Sequence, residues 1–121
     1  MIGYATLGTN DLARALKFYD ALLAEMGAKR VMEFDGFILY GTGRGAGLAI
    51  TQPYDKKRAT VGNGVMIALN AGSREKVDAL YRKAIELGGT DEGRPGPRTD
   101  TFYAANFRAL AGNKLNFYHF G

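Results

Sequence analysis

The sequence contains no cysteine and a single histidine, His119, and these two scarcities exclude much chemistry. Without cysteine, thiol catalysis, iron–sulfur ligation and disulfide bonds are excluded. One histidine leaves little room for the commonest metal ligand and general base. No apolar run approaches the roughly 18 residues that span a bilayer, and polar residues interrupt the N-terminal pattern that a signal peptide would need. We therefore expect a cytoplasmic protein that contacts no membrane.

The residues that are present are typical of one globular domain. The chain has 121 residues, of which 46% are hydrophobic and 23% charged, and glycine is unusually frequent at 17 residues. The net charge of +4 comes from basic residues spread along the chain. Their one cluster, Lys56–Arg58, lies in a polar stretch without interleaved aromatic residues, so we expect no nucleic-acid partner. The charge supports at most a modest preference for acidic small molecules.

Hydrophobic periodicity divides the chain into two similar halves, each predicted to contain one helix and four strands. Asp11 and Ser73 are the expected helix N-caps, 62 residues apart, and Gly27 and Gly88-Gly89 the expected helix ends. Asp35-Gly36 predicts a hairpin turn, and Pro95-Gly96-Pro97 a loop. The predicted strands are Ile2–Leu7, Val31–Phe34, Phe37–Tyr40, Ala46–Thr51, Gly64–Leu69, Thr90–Gly93, Phe102–Arg108 and Lys114–Phe120.

This repetition predicts an α+β fold made of two βαβββ modules in tandem. We expect one domain, residues 1–121, with repeats at about residues 1–52 and 62–121 and a polar linker at 53–61. Strand alternation predicts that one apolar set packs on the helices; that set comprises Ala5, Leu7, Leu48, Ile50, Val65, Ile67, Leu69, Leu115 and Phe117. The alternate strand residues, which point to the opposite face of each sheet, are a mixture of small, aromatic and polar side chains. Such a mixture favours a cavity that binds a ligand over a closed core.

The chain resembles the vicinal oxygen chelate superfamily, which contains glyoxalase I, bleomycin-resistance proteins and extradiol dioxygenases. The resemblance covers essentially the whole sequence. It depends on residues 7–15 leading to Phe18-Tyr19, on Gly88-Gly89, on Gly96-Pro97-Arg98, and on residues 102–105 through Gly112-Asn113-Lys114. It implies that the two modules form a curved, cup-shaped mixed sheet with the helices on its outer face, and that two chains pair as a homodimer.

Metal-dependent members of that superfamily carry ligands on the first and last strand of each module. By resemblance these positions are Tyr4, Ala49, Met66 and Asn116, none of which is a His, Glu or Asp. Such a set does not assemble a catalytic divalent ion, and His119 is predicted to face away from Asn116. We therefore expect no metal and no other cofactor.

The leading hypothesis is a metal-free binding protein of the bleomycin-resistance type, which holds a small organic molecule, acidic or aromatic, without transforming it. The expected ligand-binding residues are Tyr4, Thr6, Ala49, Thr51, Met66, Asn116, Tyr118 and Arg98, with Lys114 as a further polar contact. Arg98 follows two prolines and could pair with a ligand carboxylate or phosphate.

Two alternatives stay open. The first is a metal-independent lyase or isomerase, in which Tyr4 transfers a proton and Lys114 lowers its pKa, while Asn116 holds an oxyanion. Glu33 or Asp35 could serve as the base instead. The second alternative is a dimerisation module without a ligand. The sequence favours the binding protein over an enzyme.

Overall fold

The computed structural model describes all 121 residues, and they separate into two compact units, Met1–Val61 and Gly62–Gly121. The first unit contains strand β1 (Tyr4–Gly8), helix α1 (Leu12–Ala24) and strands β2 (Lys29–Phe34), β3 (Phe37–Gly41) and β4 (Gly47–Thr51). The second contains β5 (Ile67–Asn70), α2 (Arg74–Glu86), β6 (Thr90–Thr99), β7 (Phe102–Arg108) and β8 (Lys114–Phe120). The predicted α+β fold of two βαβββ modules is confirmed.

Each unit has its own four-stranded mixed sheet, in the orders β1-β4-β3-β2 and β5-β8-β7-β6. The first and last strands of a unit pair in parallel, and the other pairs are antiparallel. Neither 13-residue helix is long and apolar enough to cross a membrane.

Both helices begin at the predicted caps. The Asp11 carboxylate accepts a hydrogen bond from the Arg14 amide at 3.1 Å, and the Ser73 hydroxyl accepts one from the Lys76 amide at 3.1 Å. Each bond satisfies one of the amide groups that a first helical turn leaves unpaired. The two caps therefore fix where each helix starts relative to the strand before it.

One face of each sheet packs on the helix of its own unit. In the first unit the rings of Tyr19 on α1 and Tyr40 on β3 lie 6.5 Å apart, which places Tyr40 and its cross-strand neighbours on the helix side. The buried side chains of this core include Phe18, Leu22, Leu23, Leu7, Ile38, Leu48 and Ile50. In the second unit the corresponding core includes Val77, Leu80, Ala84, Phe107, Leu115 and Phe117. The predicted parity of these strand residues is confirmed.

A polar network ties α1 to its sheet at the edge of this core. Arg30 donates two hydrogen bonds to Asp20, at 2.9 and 2.7 Å, and a third to Glu33 at 3.0 Å, while the Tyr40 hydroxyl donates to Asp20 at 2.6 Å. The hydrogen bonds from Arg30 lower the pKa of the Asp20 carboxyl. Burial, followed by the neighbouring carboxylate, raises the pKa of Tyr40. Burial likewise raises the pKa of Tyr19.

Two predictions about the second unit were wrong. The strand expected from Gly64 begins only at Ile67, because Gly64 has a left-handed φ of 89°; Val65 is therefore not packed on the helix but 56% exposed. The loop expected at Pro95-Gly96-Pro97 belongs to β6. These residues pair only with β7, on the outer edge of the sheet, where a proline without an N–H group is tolerated.

Candidate functional site

A groove of about 810 Å³ lies on the first unit, where β1 and β4 end and residues 52–60 form one wall. Its strand residues Thr6 and Thr51 were both predicted to bind a ligand. The lining comprises Thr6, Gly8, Asp35, Gly36, Phe37, Thr51, Gln52, Pro53, Tyr54, Asp55, Lys56, Arg58, Ala59 and Thr60. This volume is in the range of ordinary small-molecule sites.

The outer wall is held against the sheet by Asn10, the residue before the α1 N-cap. The Asn10 carboxamide accepts a hydrogen bond from the Ala59 amide at 2.6 Å and donates one to the Ala59 carbonyl at 3.1 Å. Gly8 permits this close approach, since a Cβ atom there would lie 3.1 Å from the Ala59 methyl group. The stretch that the sequence indicated as a linker is thus a fixed wall of the groove.

The opposite wall is the hairpin turn between β2 and β3. The Thr51 hydroxyl lies 3.0 Å from the Gly36 carbonyl and 2.8 Å from the Gln52 carbonyl, and the Gln52 amide donates to the Gly36 carbonyl at 2.8 Å. Gly36 has a left-handed φ of 75°, as the predicted Asp-Gly turn requires. These bonds join the turn to the end of β4, so that both walls are fixed to the strands.

The groove offers aromatic surface and both signs of charge. Phe37 and the fully exposed Tyr54 supply rings, while Lys56 and Arg58 face the same groove as the carboxylates of Asp35 and Asp55. Two basic and two acidic side chains balance, so net charge gives the groove no preference for an acid. Selectivity must come from hydrogen bonds and ring contacts.

Of the other predicted residues of the first unit, only Asp35 lines the groove. Tyr4 is 57% exposed at the start of β1, with its ring edge against Phe37 at 6.1 Å. Ala49 is fully buried on β4, between Thr6 on β1 and Leu39 on β3. Of the alternative bases, Glu33 bonds to Arg30, and Asp35 belongs to the hairpin turn.

The second unit carries the remaining predicted residues. Met66 immediately precedes β5 and is 39% exposed, and Lys114 is the first residue of β8. Asn116 and Tyr118 share the face of β8 that is turned away from α2, whereas His119 pairs with Tyr103, whose hydroxyl donates to Asp78 on α2 at 2.7 Å. The use of Tyr4 and Lys114 as an acid–base pair stays a prediction.

Arg98 is held by its own strand. Its guanidinium donates to the carbonyls of Gly96 at 3.0 Å, Arg94 at 3.1 Å and Gly93 at 3.4 Å. Because β6 continues through the two prolines, Arg98 is part of the sheet edge and not of a loop. Its bonds to these carbonyls leave only part of the guanidinium available to another group.

Asn106 is a candidate site residue that the sequence did not indicate. It pairs with Asn116 across β7 and β8, and the side-chain carbonyl oxygens of both residues are buried without a hydrogen-bond partner. Buried polar atoms in native proteins are usually paired, so an adjacent pair of unpaired acceptors is informative. The available signal was the polar side chain of Asn106 itself, which follows the apolar residues Ala104 and Ala105 and precedes Phe107.

The family of the chain follows from its fold and from two comparisons. Residues 1–117 match the model of the glyoxalase/bleomycin resistance protein/dioxygenase superfamily. A glyoxalase/bleomycin resistance protein from Albidiferax ferrireducens T118 is 35% identical, with a TM-score of 0.92, over 100% of this chain and 99% of that one. The chain therefore belongs to this superfamily.

A more distant structure shares the fold alone. Lactoylglutathione lyase from Agrobacterium tumefaciens is 20% identical, with a TM-score of 0.71, over 98% of this chain and 92% of that one. No curated protein matches the chain in sequence.

The side chains of this chain do not fit the divalent ion that metal-dependent members of the superfamily hold. At the four positions that the resemblance assigns to the metal ligands, Ala49 has no donor atom, Met66 offers a soft thioether, and only Tyr4 and Asn116 carry oxygen. Nowhere in the structure do three or more His, Asp or Glu side chains cluster closely enough to hold an ion. A catalytic zinc site needs three protein ligands and an open position, which this set does not supply.

Proposed function

We propose that the protein binds a small organic ligand without a metal and without transforming it. The observation that carries this proposal is the groove of the first unit, which has the volume of a small-molecule site and presents the Thr6 and Thr51 side chains beside aromatic rings. Its walls are fixed by the hydrogen bonds of Asn10 and Thr51. Such a preformed site binds a ligand with little loss of conformational entropy.

The side chains at the four expected metal-ligand positions support a binding function and not the metal-dependent chemistry of the superfamily. Glyoxalase-type and dioxygenase-type reactions use an ion to polarise vicinal oxygens or to bind dioxygen. The residues at the four ligand positions cannot assemble that ion, and the groove contains no histidine or cysteine. A protein that keeps the fold and a fixed groove, but not the ion's ligands, is suited to hold a molecule and release it unchanged.

A thermal-shift screen with small aromatic and acidic compounds tests the proposal. A ligand at 100 times its dissociation constant adds about 2.7 kcal/mol to the free energy of unfolding, which raises the melting temperature measurably. The variant Thr6→Trp fills the groove from an exposed strand position and should abolish that shift. The control Thr90→Trp, on the exposed start of β6, should retain it.

Two outcomes contradict the proposal. Equal ligand-induced shifts in the Thr6→Trp variant and the wild type would show that the groove is not the binding site. Stoichiometric conversion of a bound compound into product, detected by mass spectrometry after incubation, would show an enzyme instead of a binding protein.

We also propose that two copies of the chain form a homodimer, as the resemblance implies. On β2, an outer strand of the first sheet, Val31, Met32 and Phe34 are 49, 52 and 62% exposed. Apolar side chains clustered on an outer strand are suited to burial against another chain. Sedimentation velocity at micromolar concentration distinguishes the dimer from a monomer.

A further inference from the structure

The second unit contains two buried hydrogen-bond acceptors that its own residues do not satisfy. Asn106 on β7 and Asn116 on β8 are paired directly across the strands, and the side-chain carbonyl oxygen of each is buried without a partner. Asn116 exposes only 4% of its surface, while Asn106 is partly exposed, so the pair borders solvent. Both lie on the sheet face that is turned away from α2.

The first unit shows that the fold does not require asparagine at these positions. Thr6 of β1 and Ala68 of β5 are 62 residues apart, as are the two helix caps, and they pair with Ala49 and Asn116 respectively. Ala49 in turn pairs with Leu39, as Asn116 pairs with Asn106. One unit thus fills this place with two apolar side chains, whereas the other places there two amides whose carbonyl oxygens are unpaired.

Unpaired buried acceptors destabilise a folded chain, since each has lost its hydrogen bonds to water. A pair of them that packing does not require is therefore best explained by a bound group that donates to both. Two oxygen acceptors on directly paired residues fit a group that carries two N–H bonds on one nitrogen.

Arg98 restricts the charge of that group. A Cβ atom on Gly93 would lie 3.3 Å from Nη2 of Arg98 and 3.4 Å from Nδ2 of Asn106, so the guanidinium is close to the side-chain amide of Asn106. A positive charge beside Asn106 disfavours an ammonium ion as its ligand. It favours a neutral nitrogen attached to a carbonyl, whose oxygen can accept from a donor of this cation.

Aromatic side chains lie next to the pair on the same face. Tyr118 is two residues beyond Asn116 on β8, and its ring is 6.0 Å from that of Phe102 and 5.6 Å from that of Phe120. An aromatic ring attached to the donor group would contact this cluster.

We propose that Asn106 and Asn116 recognise a neutral primary amide on an aromatic ligand, by accepting its two N–H bonds. This inference rests on the proposed binding function and adds a requirement on the chemistry of the ligand. It also assigns Asn106 and the face of the second sheet to recognition, separately from the groove of the first unit.

The test compares benzamide with N,N-dimethylbenzamide and benzylamine by NMR titration of the intact protein. The dimethyl compound has no N–H bond, and the amine is a cation, so we expect benzamide to bind at least tenfold more tightly than either. The side-chain amide signals of Asn106 and Asn116 should shift with benzamide alone.

A double variant separates recognition from a structural role. Asn106→Leu combined with Asn116→Ala copies the residues of the first unit. It should abolish the preference for benzamide and raise the melting temperature by several degrees, because it removes two unpaired acceptors.

Equal affinities for benzamide and its dimethyl analogue in the wild type would overturn the inference, as would no binding of benzamide at millimolar concentration. A lower melting temperature of a folded double variant would overturn it too, by showing that the two amides stabilise the sheet. If other compounds still bind to the first-unit groove, the proposed function stands without this inference.

Discussion

The hydroxyl group of Tyr40 on β3 donates a 2.6 Å hydrogen bond to the carboxylate of Asp20 on α1, the same carboxylate that Arg30 on β2 holds with two bonds. One acidic side chain thereby joins three elements of the first unit. Bonds to an ionised acceptor are stronger than bonds between neutral groups, so this carboxylate contributes most while it is charged.

We predict that Asp20→Asn lowers the free energy of unfolding at pH 7 by about 1 kcal/mol. The expected loss is small because the Asp20 and Arg30 side chains are partly exposed, and water weakens their interaction. Because the pKa of Asp20 is lowered in the folded state, its contribution is present above the unfolded pKa of about 3.9 and disappears as pH falls through the folded pKa. Urea denaturation at pH 7 and pH 3 should show the difference between variant and wild type shrinking at low pH. The exposed Glu25, directly after α1, provides the control Glu25→Gln, which should change little; an equal loss there would contradict the role of Asp20.

The backbone around Gly89 in the second unit leaves no room for a side chain. A Cβ atom there would lie 2.9 Å from the Ala84 carbonyl oxygen and 3.1 Å from the Arg108 carbonyl oxygen, both of which are backbone atoms. Gly89→Ala should therefore cost about 2 kcal/mol of unfolding free energy. The matched change Gly3→Ala meets nothing within 4 Å and should be neutral in the same thermal denaturation measurement. Equal melting temperatures for the two variants would disprove the close approach.

The composition of the ligand positions leads to a prediction about metals. Protein purified without a histidine tag should contain no near-stoichiometric zinc, nickel, manganese or iron by plasma mass spectrometry. Treatment with EDTA, or addition of zinc or nickel chloride, should leave the melting temperature unchanged, since bound ions would raise it by mass action. A metal content near one per chain would refute the metal-free proposal.

The exposed apolar residues of β2 lead to a prediction about assembly. Phe34→Asp places a charge on the proposed dimer surface and should weaken dimerisation at least tenfold, a change of about 1.4 kcal/mol. Thr90→Asp, on the edge strand of the other sheet, is the control and should leave the dimer intact. Sedimentation velocity across a concentration series measures both, and an unchanged dimer in the Phe34 variant would argue for another interface.

Periodicity and capping chemistry predict most of this fold because they are local. The positions of Asp11 and Ser73 fixed the helix starts, and Asp35-Gly36 fixed a hairpin, from a few residues each. The start of β6 was predicted at Thr90–Gly93, but its continuation to Thr99 was missed. Proline argues against a strand except on a sheet edge, and whether a strand lies on an edge depends on distant pairing.

The site was less predictable than the fold because it too depends on contacts between residues far apart in the sequence. Parity placed Thr6, Thr51 and Asn116 on the faces turned away from the helices, but the wall at residues 52–60 depends on the bond between Asn10 and Ala59, 49 residues apart. The unpaired oxygens of Asn106 and Asn116 depend on register, which no single strand specifies.

The two prolines of β6 also make the edge strands β6 and β2 differ in their capacity to pair with a strand of another molecule. Pro95 and Pro97 carry no N–H group, so this border of the second sheet cannot form a continuous ladder with a strand from elsewhere, whereas β2 contains no proline at all. Of these two edge strands, only β2 in the first unit has a backbone N–H group at every residue. Replacing both prolines would therefore give the β6 edge additional N–H donors, through which strands of other molecules could pair with it and cause aggregation.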